Sequence, residues 1–298
     1  LFPADLGHEV HSPRKYKFSR SFGIPVRYHD LDSLSTLSNF DLLEFHMSYL
    51  DLEEKTETYL SKKIDMDFIV HAPELFQGDH ILDLCSFDKG YRQSSISNLS
   101  KVIKVTEHLS KWFSKSECPR IVVNVGGFTM DKHMEQSKRA LCYEMVAKAL
   151  NEVDLKGVEI LPQTMPPFPW HFGGQRFHNL FVDPKEIVEF CRQYGFRVCL
   201  DISHSKLACN YYHWSMEEFL EQVGPHTAHF HIADAKGTDG EGLQIGEGEI
   251  DWPAFGRTIR KYSPNASFIP EVWQGHKNKG AGFWKAFELL ESYMYEKK

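Results

Sequence analysis

The stretch Asp183-Pro-Lys-Glu-Ile-Val-Glu-Phe-Cys-Arg-Gln-Tyr-Gly195-Phe-Arg-Val-Cys-Leu-Asp201 lays out one helix and one strand. Asp183 is an N-cap side chain, and Pro184 takes the first helical position, where an N–H would have no partner in any case. Gly195, directly after Tyr194, is the stop. Beyond it Arg197–Ile202 is a short apolar run with the pattern of a buried strand, and it meets the carboxylate of Asp201. The unit repeats in both directions. Strands are predicted at Gly23–Tyr28, Leu42–Met47, Phe68–Ala72, Ile121–Val125, Gly157–Leu161, Arg197–Ile202, Ala228–Ala233 and Ser267–Val272. The clearest helices are predicted at Ile96–Phe113, Glu135–Val153, Pro184–Tyr194, Met216–Val223, Pro253–Tyr262 and Phe283–Tyr295. Eight strands with helical crossovers and no Gly/Ser-rich linker predict a (β/α)8 TIM barrel over residues 21–298. A basic tail or linker is expected over residues 1–20.

The 298 residues, 42% of them hydrophobic, suffice for one such barrel. A net charge of −7 weighs against a nucleic-acid surface, which needs a concentrated basic face. The six cysteines are scattered without a C-x-x-C pair, which predicts reduced thiols and a cytoplasmic location. No apolar stretch approaches the ~20 residues that span a bilayer, so no membrane partner is expected. The chain starts Leu1-Phe-Pro-Ala without an initiator Met, so a piece of a longer polypeptide is expected.

Four of the predicted strands end on residues that can hold a metal or a proton. They read Gly-Val-Glu159, Val-Cys-Leu-Asp201, His-Phe-His231 and Phe-Ile-Pro-Glu271. In a parallel barrel the strand C-terminal ends converge on one mouth, where catalytic groups collect. Two Glu, one Asp and one His form a mixed oxygen and nitrogen set suited to one divalent ion, Mn²⁺, Co²⁺, Mg²⁺ or Zn²⁺. Each residue alone is more often a solvated or salt-bridged group; the joint pattern points to a metal-dependent enzyme.

The segments Asp201-Ile-Ser-His204, His229-Phe-His231-Ile-Ala-Asp234, Ile245-Gly-Glu247-Gly-Glu249-Ile-Asp251-Trp and Pro270-Glu271-Val resemble the xylose-isomerase-like TIM-barrel superfamily. The resemblance runs from about Phe22 onward. It implies that Glu159, Asp201, His231 and Glu271 are the ligands of one metal ion. It also implies that Glu159 and Glu271 are the catalytic acid/base pair of a sugar or sugar-phosphate isomerase or epimerase. Such an enzyme removes a proton next to a carbonyl and passes through an enediolate. His71 and His204 match residues that contact substrate or a second metal. The AP-endonuclease branch wants an extra His after the fourth strand and an Asp-x-His before the Gly-Glu-Gly turn. This chain has Asn124-Val-Gly126-Gly127 and Asp239-Gly-Glu241 there, so no nucleic-acid substrate is expected.

Other residues near the predicted strand ends have two readings each. Lys236 could meet a phosphate or carboxylate, or be a solvated loop lysine. Glu247 is a pocket residue or a turn cap. Trp273 stacks on a sugar face or packs in the core. His229, two residues before His231, is expected one layer deeper as packing or as support for a ligand. Of Glu44 and His46, only one is expected to face inward. The long aromatic loop Pro162–Phe181 is either a lid or a cover over a helix. The run from Pro13 to His29 resembles the junction before barrels fused behind sialic-acid-type sugar synthases, which implies a covalently fused synthase partner and an amino sugar or a nonulosonic-acid precursor as substrate. Two other classes stay open: a metal-dependent dehydratase or lyase acting on a polyol such as an inosose, and a non-catalytic sugar-binding barrel.

Overall fold

The computed structural model describes residues 14–171 and 174–294. Eight parallel strands form the barrel: β1 (Gly23–Val26), β2 (Leu42–His46), β3 (Asp67–His71), β4 (Arg120–Val123), β5 (Glu159–Pro162), β6 (Val198–Asp201), β7 (Thr227–Ile232) and β8 (Ser267–Pro270). Strands β1 to β5 are hydrogen-bonded in sequence order, as are β6 to β8. Parallel bridges Phe22–Phe268 and Gln163–Cys199 close the two arcs into a TIM barrel. Its interior is filled midway by Leu42, Ile69, Val122, Leu161, Cys199 and Ile269, all buried. The larger apolar core lies between the strands and the outer helices.

The helix and strand read first from the sequence are both present. Pro184–Tyr194 is helical, with the Asp183 side chain accepting the Lys185 N–H and Gly195 in the left-handed conformation at φ 75°. Helix Lys89–Ser110 starts well before the expected Ile96, because Asp88 caps it by accepting the Tyr91 N–H at 2.9 Å. A further helix, Ile202–Tyr212, runs directly off the end of β6.

The fifth strand departs from its expected position. Lys156 and Gly157 form a left-handed turn, φ 50° and 80°, so the strand starts only at Glu159. The inward alternation Glu159, Leu161, Gln163 then brings Gln163 to the mouth.

The basic lead-in departs as well where it is described. Tyr16 is buried, its ring 5.1 Å from that of Phe287. Arg20 is buried and donates to the carbonyl oxygens of Ile259, Ser263 and Ala266. Residues 1–13 lie outside the described residues. In the long loop, Phe168 and Phe177 pack on His133, and Phe168 also packs on Tyr211 of helix Ile202–Tyr212. Those rings cover a helix. Among the described residues, no helix is long and apolar enough to cross a membrane.

Candidate active site

A cavity of about 680 Å³ opens at the C-terminal ends of the strands. Asp201 is set there by two constraints. It is the last residue of β6, and its Oδ1 caps the following helix by accepting the His204 N–H at 2.8 Å. That leaves Oδ2 facing inward, 3.2 Å from Gln163 Nε2 and 3.9 Å from His231 Nδ1. Glu271 follows β8, its N–H bonded to Ile232 O, and its Oε2 lies 2.7 Å from His231 Nδ1. Gln163 Nε2 stands 3.2 Å from the same imidazole nitrogen. His71, at the end of β3, has Nε2 3.1 Å from Gln163 Oε1 and Nδ1 3.0 Å from Ala72 O. His204 directs Nδ1 to Thr164 O at 2.9 Å and Nε2 towards Glu241, 3.6 Å away.

Burial and neighbouring charges oppose one another throughout this site. Burial would push His231 down, but the flanking carboxylates Glu271 and Glu44 hold it well above the ordinary imidazole range. Burial would raise Glu271, but His231 and its hydrogen bond outweigh it, followed by His46 and His71, so Glu271 stays an ionised carboxylate. Burial pushes Asp201 up to about 6. His71 is pushed down by burial, then by His46 and His231.

The residues present fit a divalent ion. Asp201 Oδ2, Glu271 Oε2 and His231 Nδ1 converge, and ligand atoms of His71, His231 and Glu271 lie within 4.8 Å of one another. The amide of Gln163 would supply a fourth donor if it were turned over. If Nδ1 of a neutral His71 carries the proton given to Ala72 O, its Nε2 lacks one and needs a donor. Turning the Gln163 amide over provides that donor and aims Oε1 at His231 and Asp201. The set is two carboxylates, one imidazole and one amide oxygen, which matches the oxygen-rich preference of such ions.

Of the residues singled out from the sequence, Asp201, His231, Glu271, His71, His204 and Trp273 come together; all but the deeper His231 line the cavity. Trp273 stands at its rim, 77% exposed. Glu159 does not join them. It opens β5 at the opposite end of the barrel, where Arg197 grips it with bonds of 2.7 and 2.6 Å. Its expected roles as metal ligand and as half of the acid/base pair are corrected on that ground. Glu247 pairs with Lys285 at 2.8 Å on the surface, and Lys236 is exposed on the hairpin after β7, so neither lines the cavity. Glu44 and His46 both face inward, since residues two apart on a strand share a face. His229 lies a layer below His231, 2.8 Å from Glu44. Gln163 was missed because only ionisable strand ends were sought. Its position on the inward alternation of β5 was the available signal.

A barrel with this mouth belongs to a known class. The chain is a member of the xylose isomerase-like TIM barrel family, which it matches over residues 34–293. An uncharacterized protein of Methanocaldococcus jannaschii is 26% identical over 242 residues, 78% of this chain and 84% of that protein. Among solved structures, a D-tagatose 3-epimerase-like protein superposes with a TM-score of 0.60 at 21% identity, covering 92% of this chain and 97% of that one. D-psicose 3-epimerase of Clostridium cellulolyticum H10, solved with D-tagatose, gives 0.60 at 16% identity, covering 92% and 98%. The 3-keto-D-glucoside 4-epimerase of E. coli gives 0.57 at 12% identity, covering 93% and 99%. At these identities the likeness shows a shared fold.

Proposed function

We propose that the protein is a divalent-metal-dependent sugar isomerase or epimerase acting on the carbon next to a carbonyl. The observation that carries this reading is the convergence of Gln163, Asp201, His231 and Glu271 beside one cavity of sugar-accommodating size. Bound there, the ion would polarise a carbonyl and its neighbouring hydroxyl as a Lewis acid. Glu271, ionised and lining the cavity, takes the proton from the carbon between them. His204 presents its Nε2 to a sugar hydroxyl, His71, with its two ring nitrogens held by Ala72 and Gln163, shapes the cavity wall, and Trp273 offers a flat apolar face at the rim.

The Gln163 amide, just past the end of β5, favours one of the two reactions. Inverting a single carbon calls for a proton donor on each face of the sugar, and Gln163 cannot donate as a carboxylic acid. A single carboxylate can instead return the proton to the adjacent carbon on the same face, while the hydroxyl proton passes from its oxygen to the former carbonyl oxygen, which interconverts aldose and ketose. The test is turnover in D₂O on a panel of aldoses and ketoses that includes D-tagatose and D-psicose, the sugars named for the structural neighbours. The expected product is the isomer, with part of the substrate hydrogen retained at the neighbouring carbon. A product inverted at one carbon and fully labelled from solvent would overturn that choice. Inactivity on every sugar, with the ion bound, would refute the enzymatic reading.

The Gln163 amide also predicts a gain. Gln163→Glu adds a third carboxylate to the set and should tighten divalent-ion binding at least about tenfold, since ligand charge sets affinity at such sites. Calorimetry reads this directly, and an unchanged affinity would remove Gln163 from the ligands.

A further inference from the structure

Beneath the mouth one carboxylate holds three imidazoles. Glu44 is fully buried in the barrel interior. Its Oε1 lies 2.9 Å from His231 Nε2 and 3.0 Å from His46 Nε2, and its Oε2 lies 2.8 Å from His229 Nε2. These five atoms are buried and, among the described residues, have no hydrogen-bond partner apart from one another. The consequence is geometric. With all three Nε2 atoms gathered on Glu44, each ring must point Nδ1 away from it. His229 Nδ1 goes down to Ser267 Oγ at 2.7 Å, which is held in turn by Arg120 at 3.1 Å. His231 Nδ1 goes up to the mouth, 2.7 Å from Glu271 and 3.2 Å from Gln163. His46 Nδ1 faces Glu271 at 3.8 Å.

We propose that Glu44 is a positioning residue that presents Nδ1, and not Nε2, of His231 to the divalent ion. A His ligand whose second nitrogen is held by a carboxylate has its ring orientation fixed before the ion arrives, and loss of such a partner costs about 10–100-fold in affinity. Here one carboxylate serves His46, His229 and His231 together, and so ties the ligand to the packing of β2 and β7. Two buried imidazoles, His229 and His231, and the partly exposed His46 on one buried carboxylate also explain why the barrel interior carries polar groups at this level rather than another apolar layer.

The inference rests on the ion of the proposed function, but its readouts are binding and ligation, not turnover. The first is calorimetric affinity for Mn²⁺ and Zn²⁺ of the wild type and of Glu44→Gln, which keeps the side-chain shape. A drop of about 10–100-fold in a variant whose circular dichroism matches the wild type is expected. The second needs no change at Glu44. In the Zn²⁺-loaded wild type with ¹⁵N-labelled histidine, assigned against His231→Asn, the His231 spectrum should show a protonated Nε2 and a metal-bound Nδ1. Affinity within about twofold of wild type in a folded Glu44→Gln, zinc on Nε2, or no divalent ion bound by the wild type would each overturn the proposal. If Glu44→Gln does not fold, the wild-type spectrum decides alone. An ion bound through Nδ1 in a protein that turns over no sugar would sink the proposed function and leave this inference standing. Sugar turnover with the ion on Nε2 would do the reverse.

Discussion

Glu271→Gln should lower kcat by about 10²–10⁴-fold, the usual contribution of a positioned general base. Glutamine keeps an oxygen for the ion but cannot hold the proton taken from carbon, so ion affinity should fall less than turnover. The expectation rests on an ionised carboxylate at the cavity wall, 2.7 Å from His231. Glu159→Gln is the matching control. At the far end of the barrel it breaks only the pair with Arg197, whose side chain is half exposed, and such pairs are worth about 0.2–1 kcal/mol. Turnover of Glu159→Gln should stay within about twofold of wild type. Steady-state kinetics on the best sugar of the panel separates the two variants. Full activity in Glu271→Gln would remove that residue from the mechanism, and a large loss in Glu159→Gln would contradict the placement of β5.

The contrast between these two glutamates shows what was legible in the sequence. Strand and helix positions come from local signals such as apolar runs, caps and glycine stops, and those signals are strong around Pro184–Tyr194 and Asp201. Three of the four strand-end residues meet because a parallel barrel brings strand ends together whatever the rest of the sequence does. β5 failed locally. Gly157-Val-Glu159 looks like a strand closing on an acid, but Gly157 at φ 80° belongs to the turn before the strand. A displacement of four residues, being even, preserves the inward face and moves the residue at the mouth from Glu159 to Gln163.

The polar interior was harder to read. Glu44 lies within an apolar run, and nothing nearby in sequence signals that it will gather His229 and His231 from a strand nearly two hundred residues away. Only closure of the barrel creates that contact. The two-residue spacing of Glu44 and His46, and of His229 and His231, did mark shared inward faces. The surface positions of Lys236 and Glu247 follow from the hairpin Asp234–Lys236 with Gly240–Leu243 and from Lys285 on the last helix, neither of which is a local feature.

Asp234→Ala should destabilise the fold by roughly 3–5 kcal/mol, counting about 1 kcal/mol or more for each buried donor left without a partner. The resemblance placed Asp234 in a motif with His231, yet it does not line the cavity. Its side chain is fully buried and accepts four N–H groups: Ala235 at 2.9 Å, Gly246 at 2.8 Å, Ile250 at 3.2 Å and the Trp252 indole at 2.9 Å. One carboxylate thus fixes the Gly246-Glu-Gly248 turn against the strand end, so tightly that Gly248 has no room for a Cβ. The same turn holds the hairpin that carries Glu241 and Gly242 to the cavity, where Gly242 O accepts the Trp273 N–H at 2.7 Å. Denaturant unfolding should report the loss, with Tm lowered by roughly 6–15 °C for a chain of this size. Substrate KM should rise as well, because Trp273 and Glu241 lose their common support. A variant within about 1 kcal/mol of wild type would show that the four bonds are replaced by water, and that the motif aspartate acts elsewhere than in the turn.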